Sequence, residues 1–194
     1  MKSQISDLLD MIDELQGKLE AEFSKRRAEL NVRLEKGKVV FESEIRQRHR
    51  EMRVGFWEFI SRTRPNILVV APVTYSLIVP LILLDAFVSI YQAVCFPLLG
   101  VEKVRRSEHM AFDRHHLGYL NALQKLNCLY CSYANGLISF VREIAGRTEQ
   151  FWCPIKHARR VAGVHERYAK FLDFGDGESY QTEVENLRKR LSVK

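Results

Sequence analysis

Three hydrophobic patterns divide the chain. Between residues 4 and 62, Ile5, Leu8, Ile12, Leu15 and Leu19 recur at helical spacing, and the stripe resumes through Leu30, Leu34, Phe41, Ile45 and Met52, with Phe23 between. Charges of both signs fill the other positions, as on the outer faces of a coiled coil. No proline interrupts before Pro65. The pattern therefore predicts one long N-terminal coiled-coil-like helix, about 88 Å from end to end at 1.5 Å per residue. Arg26, Arg27 and Gly37 weaken the stripe, and a break near Gly37 would fold the segment into a helical hairpin instead.

The second pattern is continuous. From Asn66 to Leu99 the only formal charge is Asp85, and such a run exceeds the roughly 18 apolar residues that already suggest a membrane segment. As one straight helix it would measure about 51 Å, against a hydrocarbon core of about 30 Å. Either a single span over roughly Val73–Phe96 or a hairpin bent near Pro80–Asp85 accommodates it. Pro80 removes one helical hydrogen bond. Arg62 and Arg64 precede the run, and Lys103, Arg105 and Arg106 follow it. Basic flanks at both ends favour the hairpin, with both termini cytoplasmic.

Trp57, with Phe56 and Phe59, adjoins Arg62 and Arg64, a combination suited to the headgroup region. Asp85 would cost about 2.5–3.5 kcal/mol at the centre of a single span. In a hairpin it would mark the bend. Either way its carboxylate needs Tyr75, Ser76, Ser89, Tyr91 or water, and an intramembrane carboxylate is a functional residue by default.

The third pattern is a run of shorter amphipathic stretches. A helix over about Ser107–Tyr130, capped by Ser107, shows Met110, Leu117, Leu120, Leu123 and Leu126 on one broad face. Asn135–Gly136 is a turn signal. Leu137–Trp152 has a helical period, Pro154 opens a further helix to about Leu172, and Ser179–Leu191 reads as a short last one. The expected class is all-α, in three parts: a charged arm (1–64), a membrane insert (65–100) and a helical tail (101–194).

Charge sharpens the membrane reading. Thirty Lys and Arg face 24 Asp and Glu, a formal net charge of +6. Juxtamembrane cations each gain about 1 kcal/mol near an anionic leaflet. No RNA-binding signature or zinc-finger reader is present and the cations are dispersed among acids, so lipid, not nucleic acid, is the expected acidic partner. Met1–Gln16 is polar and acidic, unlike a secretory signal. No catalytic triad, phosphate loop or dinucleotide fingerprint points to an enzyme.

The tail holds the candidate chemistry. Cys128-x-x-Cys131 and Cys153-Pro-Ile-Lys-His157 offer three thiolates and one imidazole, the ligand set of a tetrahedral zinc site. On helices, Cys128 with Cys131 and Cys153 with His157 each share a face, and a cap position at Cys153 would favour its thiolate. The same ligands would accept iron or an iron–sulfur cluster, and the CxxC pair alone would serve as a redox dithiol. Inert helix thiols are the plain alternative, and Cys95, inside the apolar run, reads as a small hydrophobe. A straight helix over 137–152 would put Cys153 about 24 Å from the Asn135–Gly136 turn. One site then requires 132–136 to run back extended, a break at Gly146, or ligands shared between protomers. His109, His115 and His116 lie near Glu108 and Asp113 but lack the paired Glu-x-x-His of a di-iron bundle.

The run KLNCLYCSYANGLISFVREIAGRTEQFWCPIKHARR (125–160), with YQAVCFPLLG before it, resembles a family of uncharacterised bacterial membrane-associated proteins with CxxC and CPIKH motifs. The resemblance covers about 65–165, implies a bacterial inner membrane, and adds no catalytic residue. The expected function is a membrane-anchored, non-catalytic adaptor that binds metal, zinc first, with an arm that recruits a coiled-coil partner or a second copy. A redox or electron-transfer protein and a purely structural coiled-coil scaffold are the alternatives.

Overall fold

The computed structural model describes residues 2–29, 33–35, 38–41 and 43–192. The chain is mostly helical and falls into two compact units, 1–59 with 113–125 and 60–112 with 126–194.

In the first unit, α1 runs Lys2–Glu29, about 42 Å, less than half the expected single helix. A two-stranded antiparallel hairpin follows, β1 Arg33–Glu35 against β2 Lys38–Val40, with Arg33 opposite Val40 and Glu35 opposite Lys38. The β-branched pair Val39–Val40 suits a strand better than a helix, because branching restricts χ1 against the preceding turn. Leu30, part of the expected stripe, and Gly37, the expected place of a break, lie outside the described residues. The chain resumes as α2, Ser43–Glu51, and α3, Phe56–Arg62. Phe41 is buried edge-on to the His49 ring, which in turn meets Tyr119. Gly118 is required there, since a Cβ would come within 3.0 Å of His49 Cβ. On α1, Leu8, Ile12, Leu15, Leu19 and Phe23 are all half-exposed.

The second unit is built on the apolar run. Helices α4, Pro65–Ser76, and α5, Ile78–Leu98, are interrupted at Leu77 alone. The interruption lies one turn before Pro80, where the missing N–H and the ring remove the bond to Ser76 O. Leu77 keeps helical dihedrals (φ −63°, ψ −14°) and accepts a bond from Leu81 N–H at 3.2 Å, so the helix continues. The hairpin over Pro80–Asp85 is not formed, because those residues lie inside α5.

After α5 the chain passes through a short α6, Arg106–His109, and one turn of 3-10 helix at Arg114–His116 before α7, Ala122–Trp152. The expected helix over 107–130 is absent: Met110 is extended and α7 starts fifteen positions later than Ser107. Its true start is a reciprocal capping box. Asn121 Oδ1 accepts Gln124 N–H at 2.9 Å, and Gln124 Oε1 accepts Asn121 N–H at 3.0 Å.

The turn expected at Asn135–Gly136 is also absent, and α7 passes straight through it. Asn135 donates back to Cys131 O at 2.9 Å, and buried Gly136 admits the 109–110 segment, where a Cβ would meet Met110 Cγ at 2.8 Å and His109 O at 2.9 Å.

Contacts advance in the same direction along the apolar helix and α7. Tyr75 hydroxyl donates to Asn127, Tyr130 hydroxyl to Thr74 O (2.8 Å), and Tyr133 hydroxyl to Asp85 (2.9 Å), while Tyr91 and Thr148 hydroxyls meet at 3.0 Å. The core between them contains Phe96, Val101, Val104, Leu137, Phe140, Ile144 and Leu191. Burial of each such side chain stabilises by about 1.5–3 kcal/mol.

The helix expected from Pro154 is replaced by irregular chain and one 3-10 stretch, Glu166–Lys170. Pro154 O accepts Leu172 N–H (2.9 Å), Lys156 N–H reaches Leu172 O (2.8 Å), and Gly163 takes φ +69°. Those pairings hold 154–156 extended, and the left-handed glycine ends any helix. The last helix, α8, Tyr180–Lys189, packs Val184 and Leu187 on Leu172.

Candidate functional site: an apolar helix, a sheltered ion pair and a cationic cavity

Among the described residues one helix, Pro65–Leu98, is long and apolar enough to cross a membrane, and none of its most apolar window is buried in the protein. Val69, Val73, Phe87, Ile90 and Leu98 are each more than 60% exposed. The sole charge in the run is handled from the other side. Asp85, 14% exposed, is paired bidentately with Arg106, whose Nη1 is 3.1 Å from Oδ2 and whose Nη2 bonds Oδ1. Tyr133 hydroxyl donates to Oδ2, and Ser89 Oγ lies 3.2 Å from Oδ1 and 2.7 Å from Arg106 Nη2. Arg106 also lies over the Phe140 ring, 5.1 Å from its centroid.

Of the side chains that the sequence suggests as partners for Asp85, Ser89 bonds it, while Tyr75 and Tyr91 bond Asn127 and Thr148. Arg106, expected to face lipid headgroups, turns inward to the carboxylate. Arg105 and Arg64 are exposed, Trp57 is 79% exposed, and Arg62 ends α3.

The four expected metal ligands are not brought together. Cys128 and Cys131 share a face of α7, but Cys153 lies just past the end of the same unbroken helix. Twenty-five positions at 1.5 Å each put Cys128 and Cys153 about 37 Å apart, beyond the reach of one ion held with metal–sulfur bonds near 2.3 Å. Cys153 N–H still bonds Glu149 O (2.8 Å), so the thiol sits at the C-terminal end of α7 and not at the start of a following helix. Past the helix, Cys153 and His157 no longer share a face. The His157 ring stacks near Tyr168 at 6.0 Å. Among the described residues no group of three His, Cys, Asp or Glu side chains is placed to hold a metal ion.

What the sequence reading missed is a polar cavity of about 590 Å³ beside the second half of α7. Five cationic side chains line it, Arg142, Arg147, Arg167, Lys170 and Arg190, against the carboxylates of Glu108, Glu143 and Glu166. Glu143 is bonded to two of the arginines. Its Oε1 accepts from Arg147 Nε (2.9 Å) and from Arg167 Nε (3.0 Å) and Nη2 (2.7 Å). Burial on its own pushes the Glu143 carboxyl up. Hydrogen bonds and charge from Arg167 and Arg147 outweigh that and hold it below the ordinary carboxylate value.

The arginines are themselves fixed. Arg147 Nη1 donates to Glu102 O at 2.6 Å, and Arg167 Nη1 to Gln150 Oε1 at 3.1 Å. The buried Gln150 amide donates onward to Leu187 O at 2.8 Å. His165 forms part of the wall: Nε2 meets Glu149 Oε2 at 2.9 Å, and its ring rests on Gly146, where a Cβ would approach Nδ1 to 3.0 Å. Its lining spans residues 108 to 190, so only the fold assembles it. No known protein family, curated protein or solved structure matches the chain.

Proposed function

We propose that the protein is a membrane-anchored, non-catalytic scaffold. The α4–α5 helix inserts in lipid, the tail packed on it is held at the membrane surface, and α1 recruits a second copy or another helical protein. The observation that carries this reading is the exposure of fourteen large apolar side chains between Ile67 and Leu98. Leaving each half-exposed in water forgoes about 1 kcal/mol, together about 14 kcal/mol, as much as the whole stability of a typical domain. Lipid around the ten of them that precede Asp85 removes most of that deficit.

Charge defines the depth of insertion. The uncharged stretch between Arg64 and Asp85 is about 30 Å long as helix, equal to a hydrocarbon core, and α7 is likewise free of charge between Lys125 and Arg142. Insertion of this stretch as a single crossing places Asp85 and Arg106 at one interface, where their pairing shelters the carboxylate from lipid. The half-exposed Leu8–Phe23 stripe supports the recruiting role of α1. A bacterial inner membrane, the location implied by the sequence resemblance, remains part of the proposal.

The test is flotation of the full chain with phosphatidylcholine vesicles, followed by alkaline carbonate extraction. The wild type should float and resist extraction, and Val73→Lys/Leu83→Lys should be released by carbonate. Release of the wild type under the same wash would defeat the reading.

A further inference from the structure

We infer that the cavity beside α7 is a binding site for a phosphate-bearing polar ligand. Five cations line it against three carboxylates, and the Glu143 carboxylate is already shared. Glu143 and, at 3.7 Å from Arg147 Nη1, the exposed Glu102 carboxylate face the Arg147–Arg167 pair, and further bonds hold both guanidiniums in place, so the surplus positive charge of the lining rests on Arg142, Lys170 and Arg190. Among the described residues Arg142 meets only a neutral acceptor, Val164 O. Lys170 and Arg190 are exposed, and among the described residues neither side chain has a hydrogen-bond or ion-pair partner.

Fixed guanidiniums together with free rim cations match a phosphate, whose oxygens take forked and charge-assisted hydrogen bonds. A metal cation is excluded by the same charge. The volume, about 590 Å³, lies within the range of small-molecule sites and exceeds the needs of inorganic phosphate alone. The ligand is therefore a phosphate ester with a polar body, either a soluble metabolite or the headgroup of a phosphomonoester lipid. The site needs no membrane crossing, and its test is read in detergent solution, so its failure and that of the anchoring proposal are separate results.

The full chain in mild detergent is titrated with inorganic phosphate at constant ionic strength, by calorimetry and by phosphorus NMR line width. Saturable binding to one site is expected, with no response to added chloride. Lys170→Ala/Arg190→Ala should bind at least about tenfold more weakly, as expected for losing hydrogen bonds to charged groups. Because those side chains bond to nothing else in the fold, helical content should stay unchanged by circular dichroism. Arg190→Lys should retain most of the affinity, and Lys103→Ala, outside the cavity, all of it.

Two competitors separate the sources. Displacement of phosphate by glycerol phosphate but not by phosphatidic acid in mixed micelles identifies a soluble ester, and the reverse identifies a lipid headgroup. Absence of saturable phosphate binding in the wild type, or equal binding by the folded double variant, would overturn the inference.

Discussion

Removing Arg106 should destabilise the protein more than removing the charge of Asp85, although the two form one pair. Asp85 is 14% exposed, whereas the Arg106 side chain is 45% exposed. With Arg106→Ala, the carboxyl stays sheltered, with only Tyr133 and Ser89 as partners. Breaking a buried pair from one side costs about 3–5 kcal/mol. Discounting for the two remaining partners and for partial exposure leaves about 2–4 kcal/mol.

Asp85→Asn keeps one side-chain acceptor, enough for the Tyr133 hydroxyl, leaves Ser89 Oγ its bond to Asp85 O, and lets the half-exposed guanidinium turn to water, at about 1–2 kcal/mol. Asp85→Leu/Arg106→Leu should fall within about 1 kcal/mol of wild type, since a hydrophobic replacement of a buried pair is often close to neutral. Guanidinium unfolding in mild detergent, followed by circular dichroism, measures all three. Equal costs for the two single changes, or a double variant no better than Arg106→Ala, would show that Arg106 does not shelter Asp85.

Three further outcomes follow from the same structure. Gly136→Ala should destabilise by about 1–3 kcal/mol by thermal melting, despite the gain in helix propensity of about 1 kcal/mol, because its Cβ would sit 2.8 Å from Met110 Cγ. Glu143, held below the ordinary carboxylate value, contributes stability that is present above about pH 4.5 and is lost as pH falls through its folded pKa. Glu143→Gln should therefore be less stable at pH 7 by about 1–2 kcal/mol and show a flatter loss of stability in acid, measured by denaturant titration across pH. A strong chelator should leave helical content and melting temperature unchanged, because Cys128 and Cys153 lie about 37 Å apart on one helix; a chelator-induced collapse of the circular-dichroism signal would contradict that spacing.

The apolar run was legible because its signal is compositional and needs no partner to be seen. Elsewhere local signals competed, and the stronger-looking one lost. Asn135–Gly136 has the sequence of a turn, yet the glycine serves a close approach by Met110 that comes from a distant segment. The Asn121–Gln124 capping box was readable from spacing alone, but Ser107 offered an earlier and equally plausible cap. At the N-terminus, the 3–4 stripe obscured the strand signal of Val39–Val40. Within one chain, a zinc site required a fold-back over 132–136 or a break at Gly146, and α7 runs unbroken across both, which keeps Cys128 and Cys131 apart from Cys153 and His157. The cavity was invisible for a different reason. Arg142, Arg167 and Arg190 are far apart in sequence, and each alone resembles a solvated surface charge.

The most direct test of the account is side-specific labelling of two positions that flank the apolar helix. In a cysteine-free background, Lys18→Cys and Glu185→Cys are reacted separately with a membrane-impermeant maleimide in sealed vesicles of single orientation. A single crossing by α4–α5 predicts that one position labels in intact vesicles and the other only after permeabilisation. Labelling of both positions from the same side would contradict the crossing and return the chain to a hairpin or a surface-bound helix.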